Sequence, residues 1–149
     1  EFYPNNLNLV EEARYKKMES YIAMNNSEAA VSDMQSLAQD TRSNYGAEAK
    51  YLLANYYFTH QQYDAAEKEI FDFIEKGTPH QQWLAKSFIL LSDVYMQKEN
   101  YFEAKQYLLS LKDNYTSNDK EINEAINTRL EKLRKIESET VVEKTNPVE

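Results

Sequence analysis

The sequence predicts an all-α protein, an α-solenoid of three helix pairs followed by a C-terminal capping helix. One observation is a spaced pattern of apolar residues that occurs three times, with shifts of 36 and then 38 residues between copies. The copies are Tyr21, Ala30, Met34 and Leu37; Tyr57, Ala66, Ile70 and Phe73; and Tyr95, Ala104, Leu108 and Leu111. A period of this length is typical of helical-repeat arrays, whose helix pairs are too small to bury their apolar faces alone. The other observation is the presence of only two glycines and three prolines, too few for the turns of a β-rich fold.

The first unit, residues 9–45, is predicted to be a degenerate repeat, preceded by a linker or expression remnant over residues 1–8. Helical spacing begins at Leu9. The stripe along this helix consists of Val10, Ala13, Lys17 and Tyr21. Because the stripe contains a lysine, it is the weakest apolar face in the chain. We expect a turn near residue 26 with Ser27 as a cap, and an end to the second helix near Gly46.

The second unit, residues 46–80, has the clearest pattern. Its first helix carries a wide apolar face of Ala49, Leu52, Leu53, Tyr56 and Tyr57. The chain is predicted to turn at residues 60–62 and to return as a second helix. Gly77 followed by Pro79 is a standard stop signal, because glycine ends a helix easily and proline cannot continue it.

The third unit, residues 81–116, is predicted to turn near residue 99, where Asn100 and Glu103 resemble a capping box. A single amphipathic helix follows over residues 117–138, as an array needs to cover its last helix pair. Its stripe consists of Ile122, Ala125, Ile126, Arg129, Leu130, Leu133 and Ile136. The remaining polar segment, residues 139–149, is predicted to be a disordered tail.

These positions resemble those of tetratricopeptide repeats (TPRs) over about residues 11–136. The third unit carries the pattern at Phe88, Leu91, Ser92, Tyr95, Tyr101, Ala104, Leu108 and Leu111. The second unit carries it at Lys50, Leu53, Ala54, Tyr57, Tyr63, Ala66, Ile70 and Phe73. The second unit departs only at Lys50, where an aromatic residue is usual, and the first unit departs at Arg14, Lys17 and Ser27. The resemblance implies the TPR fold, since the small residues fall where helices must approach closely.

The resemblance also implies a function, because most TPR proteins are scaffolds without chemistry of their own. In the family, the first helix of each pair lines a concave face that holds a peptide or helix of the partner. The corresponding residues here are Tyr15, Glu19, Glu48, Tyr51, Asn55, Phe58, Lys86, Ile89, Asp93 and Met96. Such a groove combines aromatic and apolar surface with an acidic frame, which suits a protein partner. The alternative is that its aromatic residues only pack between repeats.

Charge and composition argue against several other classes of function. The net charge of −8 disfavours nucleic acid, since phosphate binding needs clustered Lys and Arg. No apolar run approaches the roughly 18 residues of a membrane span. His60 and His80 are the only histidines, both in predicted turns, and cysteine is absent. The sequence therefore predicts neither an enzyme nor a metal or cofactor site.

The leading hypothesis is a non-enzymatic protein-interaction scaffold. Because the chain begins at Glu1 rather than at methionine, we expect a fragment of a longer protein or a processed protein. The hypothesis takes it to be the C-terminal part of a larger bacterial protein. The alternatives are a structural spacer and end cap of a long TPR solenoid, and an envelope assembly factor. The acidic, tyrosine-rich composition resembles that of TPR proteins of the Gram-negative envelope, which favours a periplasmic or envelope-associated location. An exposed N-terminal repeat would also allow self-association.

Overall fold

The computed structural model describes residues 4–145, with side chains from residue 8 onward, and this part of the chain is all α-helix and turn. The seven helices are α1 (Pro4–Ala23), α2 (Ser27–Leu37), α3 (Asn44–Thr59), α4 (Tyr63–Lys76), α5 (Gln81–Gln97), α6 (Tyr101–Asn114) and α7 (Lys120–Thr145). The predicted all-α class is therefore confirmed for these residues. The chain divides into two compact units, one ending at Ser87 and one beginning at Phe88, so that the boundary lies within α5.

Both terminal helices are longer than the sequence pattern indicated. Helix α1 begins at Pro4 rather than at Leu9, because proline is favourable in a first turn, where its missing N–H needs no partner. Helix α7 continues past the predicted end at residue 138 to Thr145. Its polar last turns contain helix-favouring Glu and Lys, and extending an existing helix is far easier than nucleating one. Residues 1–3 of the predicted linker and 146–149 of the predicted tail lie outside the described part.

The predicted end of the second helix near Gly46 is wrong. Helix α2 ends at Leu37, and α3 begins at Asn44 with Ser43 as its N-cap, whose hydroxyl accepts a hydrogen bond of 2.9 Å from the Gly46 N–H. Gly46 is buried in the first turn of α3, and a Cβ atom there would overlap the carbonyl oxygen of Asp40. This glycine therefore permits a close approach of two backbone segments rather than ending a helix.

The turns after α1, α3 and α5 share one backbone geometry. Each contains a residue with left-handed backbone, namely Asn25 (φ 57°), Gln61 (φ 59°) and Glu99 (φ 58°). In each, the next N–H donates to the carbonyl of a tyrosine five residues earlier: Asn26 to Tyr21 (2.8 Å), Gln62 to Tyr57 (2.8 Å) and Asn100 to Tyr95 (2.9 Å). This is the bonding pattern of a Schellman-type helix end. The shifts of 36 and 38 residues read from the sequence thus recur in the backbone.

The compact unit that ends at Ser87 has a core at the junction of α1, α2 and α3. Its buried members are Met18, Ala30, Met34, Leu37, Ala38, Ala49 and Leu53. The predicted stripe of α1 is wrong at Val10, Ala13 and Lys17, which are exposed, although Tyr21 packs against the core as predicted. Met18, which the stripe did not include, is fully buried. Helix α1 therefore presents the neighbouring side of its surface to α2, so that Lys17 stays in solvent.

The small residues of the repeat pattern are buried as predicted. Ala30, Ala66 and Ala104 are completely buried in α2, α4 and α6, and Ala54 and Ser92 are buried in α3 and α5. Helices α3 and α4 pack against each other, as do α1 and α2. A small side chain at each of these positions leaves room for the backbone of a neighbouring helix.

Lys50, the departure from the TPR pattern, is buried in α3 with a full set of ionic partners. Its Nζ lies 2.5 Å from a carboxylate oxygen of Glu69 and 2.5 Å from one of Asp72, both on α4. The hydrogen bond from Lys50 to Asp72 holds the pKa of Asp72 below its usual value, with a further contribution from Lys76. The two carboxylates therefore compensate a charge that would otherwise be costly to bury.

In the compact unit that begins at Phe88, α6 and α7 pack around Ala104, Leu108 and Leu133. Half-buried Tyr95 and Met96 of α5 also contact this cluster. Burial of the predicted α7 stripe is confirmed, since Ile122, Ile126 and Leu133 are buried and Leu130 packs against the cluster.

Candidate partner-binding surface

Helix α3 carries four half-buried side chains at intervals of three and four residues. They are Tyr45, Glu48, Tyr51 and Asn55. Residues three and four apart lie on one side of a helix, so these side chains form a row along α3. This row, which we call the α3 row, contains three of the ten residues predicted from the sequence to bind a partner.

Two aromatic side chains from other helices stand against the α3 row. Tyr15 of α1 stacks on Tyr45, with ring centroids 4.3 Å apart and planes 24° apart. Trp83 of α5 lies against Tyr51, at 5.8 Å and 31°. The two pairs are related by the repeat, because Tyr15 and Tyr51 are 36 residues apart, and Tyr45 and Trp83 are 38 apart. Sequence reasoning missed Tyr45 and Trp83 as site residues, although the same repeat shifts would have paired them.

The Tyr15 phenol is fixed by two carboxylates. Its hydroxyl donates a hydrogen bond of 2.7 Å to Oε2 of Glu48. Burial, the hydrogen bonds to Glu48 and Glu19, and the negative charge of both raise the pKa of Tyr15 well above its usual value. The phenol therefore remains a hydrogen-bond donor at all physiological pH values, and three predicted site residues come together here.

Trp83 is held on its edge and on its face. Its indole N–H donates to Oδ1 of Asn44 at 3.2 Å. The Nζ atom of Lys86 lies 4.7 Å from the centroid of its ring, the geometry of a cation–π contact. Lys86, also predicted from the sequence, is thereby connected to Tyr51 through the indole ring.

A cleft of about 530 Å³ adjoins the Asn55 end of the α3 row. Ile22, Met34 and Leu52 contribute apolar surface, and polar groups of the α1–α2 turn and of the end of α3 complete its lining. Phe58 is not among the lining residues and instead lies against Tyr63 of α4, with centroids 5.6 Å apart. The predicted residue Asn55 therefore joins the row to the cleft, whereas Phe58 lies apart.

The three predicted residues of the compact unit that begins at Phe88 are engaged within the chain. Ile89 is buried, and Met96 packs against the Ala104 cluster. Asp93 accepts two hydrogen bonds from the guanidinium of Arg129 on α7, at 2.7 and 2.8 Å. These contacts differ from the exposed groove lining that the sequence predicted. For Asp93 and Met96 the reason is the packing of α7, which the repeat pattern could not show.

No protein-family model, curated protein or solved structure matches the chain. Among residues 4–145, no cluster of histidine and carboxylate side chains could hold a metal ion. Within the same residues, no helix is both long enough and apolar enough to cross a membrane.

Proposed function

We propose that the chain is a non-enzymatic protein-interaction module of the TPR type, whose three helix pairs and capping helix α7 form a solenoid. The partner, a peptide or a helix, binds along the α3 row. The observation that carries this proposal is the repeated pair of aromatic contacts, Tyr15 with Tyr45 and Tyr51 with Trp83. The three equal turns after α1, α3 and α5 support the solenoid, because they recur at the period of the sequence repeat.

The chemistry of the α3 row favours a protein partner over a small substrate. Tyrosine and tryptophan dominate the binding energy of protein interfaces, since they offer large apolar surfaces with few rotatable bonds. The rings here are already positioned by hydrogen bonds from Tyr15 to Glu48 and from Trp83 to Asn44. Glu19 is exposed beside them and would attract a basic residue of the partner.

A second candidate function is that of a spacer and end cap without a groove ligand. The buried or bonded state of Ile89, Asp93 and Met96 favours this second candidate, since these side chains already contact other parts of the compact unit that begins at Phe88. Under this alternative, the aromatic pairs Tyr15–Tyr45 and Tyr51–Trp83 would serve only to pack neighbouring helices against each other.

Quantitative affinity capture from the host organism separates the two candidates. The baits are the parent chain, Tyr51→Ala, Trp83→Ala and the control Phe102→Ala, which removes an exposed aromatic ring from α6. We expect at least one partner whose recovery falls about tenfold or more with Tyr51→Ala and with Trp83→Ala, and is unchanged with the control. Equal recovery of every partner by all four folded baits would contradict a role for the row and support the spacer.

A further inference from the structure

A second cleft, of about 440 Å³, lies between α1 and α2. Val10, which is 53% exposed, and Ala13 give it an apolar edge. Asp33 lies in the cleft with only 5% exposure, and its Oδ2 atom is buried without a hydrogen-bond donor from any residue between 4 and 145. A buried carboxylate oxygen is normally paired, so the α1–α2 cleft is an incomplete polar site.

Two cations flank this carboxylate. Lys17 Nζ lies 3.4 Å and Arg14 Nε lies 3.9 Å from Oδ1 of Asp33. Arg14 also donates a hydrogen bond to Ser36 at the opposite edge of the cleft. With two positive groups and one negative group, the α1–α2 cleft carries a net positive charge beside exposed apolar surface.

The last turns of α7 have the complementary character. Residues 137–145 are exposed, because the buried stripe that ends with Leu133 and Ile136 continues with the polar residues Thr140 and Lys144. Val141 and Val142 are 60% and 57% exposed on other sides of the helix. The segment contains three glutamates and one lysine. Glu137 pairs with Lys105 of α6, so Glu139, Glu143 and Lys144 leave a net negative charge beside exposed apolar surface. A helix end of this kind is stabilised when another surface covers it.

We propose that the α1–α2 cleft of one molecule receives the 137–145 segment of a second copy of this chain. Val141 and Val142 cover the apolar edge at Val10, and Glu139 and Glu143 of the segment face Lys17 and Arg14. Opposite charges on the two surfaces favour this pairing over the pairing of like surfaces. The contact joins two different surfaces, so every dimer retains one free cleft and one free segment and can add further copies.

Sedimentation velocity over a roughly hundredfold range of concentration tests the proposal with paired variants. The cleft variant is Val10→Glu with Lys17→Glu, and the segment variant is Val141→Glu with Val142→Glu. We expect the parent chain and the control Phe102→Glu to associate with rising concentration. Each paired variant alone should be a monomer, with Kd for self-association raised at least about tenfold. An equimolar mixture of the two variants should form a dimer with one copy of each, because together they retain one intact cleft and one intact segment.

Three results would overturn the proposal. They are a parent chain that stays monomeric at the highest concentration, a paired variant that associates as the parent does, and a mixture that remains monomeric while the parent associates. In the first case, a different partner would cover the cleft. Equal helical content of all variants by circular dichroism ensures that a loss of association reflects the altered surface.

Discussion

Left-handed backbone at Asn25, Gln61 and Glu99 closes three turns of this molecule without a glycine. For any residue other than glycine, this conformation costs roughly 1–2 kcal/mol, and asparagine tolerates it best. The strain persists because each turn pairs the last N–H and carbonyl groups of a helix. Each of these residues therefore stores strain that a single substitution can remove.

Gln61→Gly and Glu99→Gly should each stabilise the protein by about 0.5–1 kcal/mol, since relief of strain exceeds the extra freedom that glycine gives to the unfolded chain. The control is Gln62→Gly, because Gln62 has an ordinary φ of −91° and should lose stability. Urea unfolding followed by circular dichroism measures the three changes. If Gln61→Gly and Gln62→Gly change stability equally, the left-handed turn is not a source of strain.

The ionic cluster around Lys50 should make stability depend on acid pH. The folded pKa of Asp72 lies below the usual value of 3.8, because Lys50 and Lys76 stabilise the carboxylate. Its stabilising contribution is therefore complete above that value and is lost as pH falls through the lower folded pKa. Lys50→Met removes the main partner, so the stability difference between parent and variant should narrow as pH falls below about 4. Urea unfolding from neutral to acid pH measures this difference. If the difference does not change with pH, ionisation of Asp72 does not contribute to stability through Lys50.

At the scale of the helices, packing requires a small side chain at Ala66 and at Ala104. Both side chains are completely buried. Ala66→Leu or Ala104→Leu should destabilise the protein by roughly 1–3 kcal/mol, because the larger side chain cannot fit without displacing a neighbouring helix. Ala23→Leu is the matched control, since Ala23 is exposed at the end of α1. Thermal unfolding gives the melting temperatures of the three variants. If both core variants melt at the same temperature as the control, the helices around Ala66 and Ala104 can separate to accept a larger side chain.

The sequence predicted the positions of helices correctly where the local residue pattern alone decides where a helix ends. The predicted turns near residues 26, 61, 79, 99 and 117 are confirmed, because each lies between two helices of the structure. Asparagine, glycine or proline marks all of them except the turn at residues 60–62. Prediction failed at Gly46, since a glycine that ends a helix and one that permits close approach look alike in sequence. It also failed at Met18, because the choice between two sides of α1 depends on the shape of α2. These are tertiary effects, and local spacing carries no information about them.

At the scale of the whole molecule, α7 is the element whose removal should have the largest effect. A chain ending at residue 117 loses Ile122, Ile126 and Leu133, which are worth roughly 1.5–3 kcal/mol each when buried. That loss is comparable to the entire stability of a typical domain. A chain ending at Ser138 is the control, because among the described residues it removes only exposed ones, 139–145, and should retain the parent's melting temperature. Equal melting of both truncated chains would contradict a capping role for α7.

The candidate surface was only partly predictable, for reasons that concern the whole chain. The repeat pattern predicted that Tyr15, Glu48 and Tyr51 lie on one face. In the structure Tyr15 bonds to Glu48, which lies on the same side of α3 as Tyr51. The repeat pattern could not show that Arg129 of α7 would pair with Asp93. The repeat pattern identifies which positions of the three repeats are equivalent. The packing of α7, which is not part of a repeat, decides which of those positions stay accessible to a partner.

Trp83 is the only tryptophan among 149 residues, and it lies within the candidate surface. Its indole emission therefore reports on one place in the molecule, against a background of twelve tyrosines. Displacement of Lys86 from the ring, or a change in the water around it, would shift the wavelength and intensity of that emission. The protein thus contains an intrinsic optical probe, with which ligands of the α3 row can be titrated in solution without any attached dye.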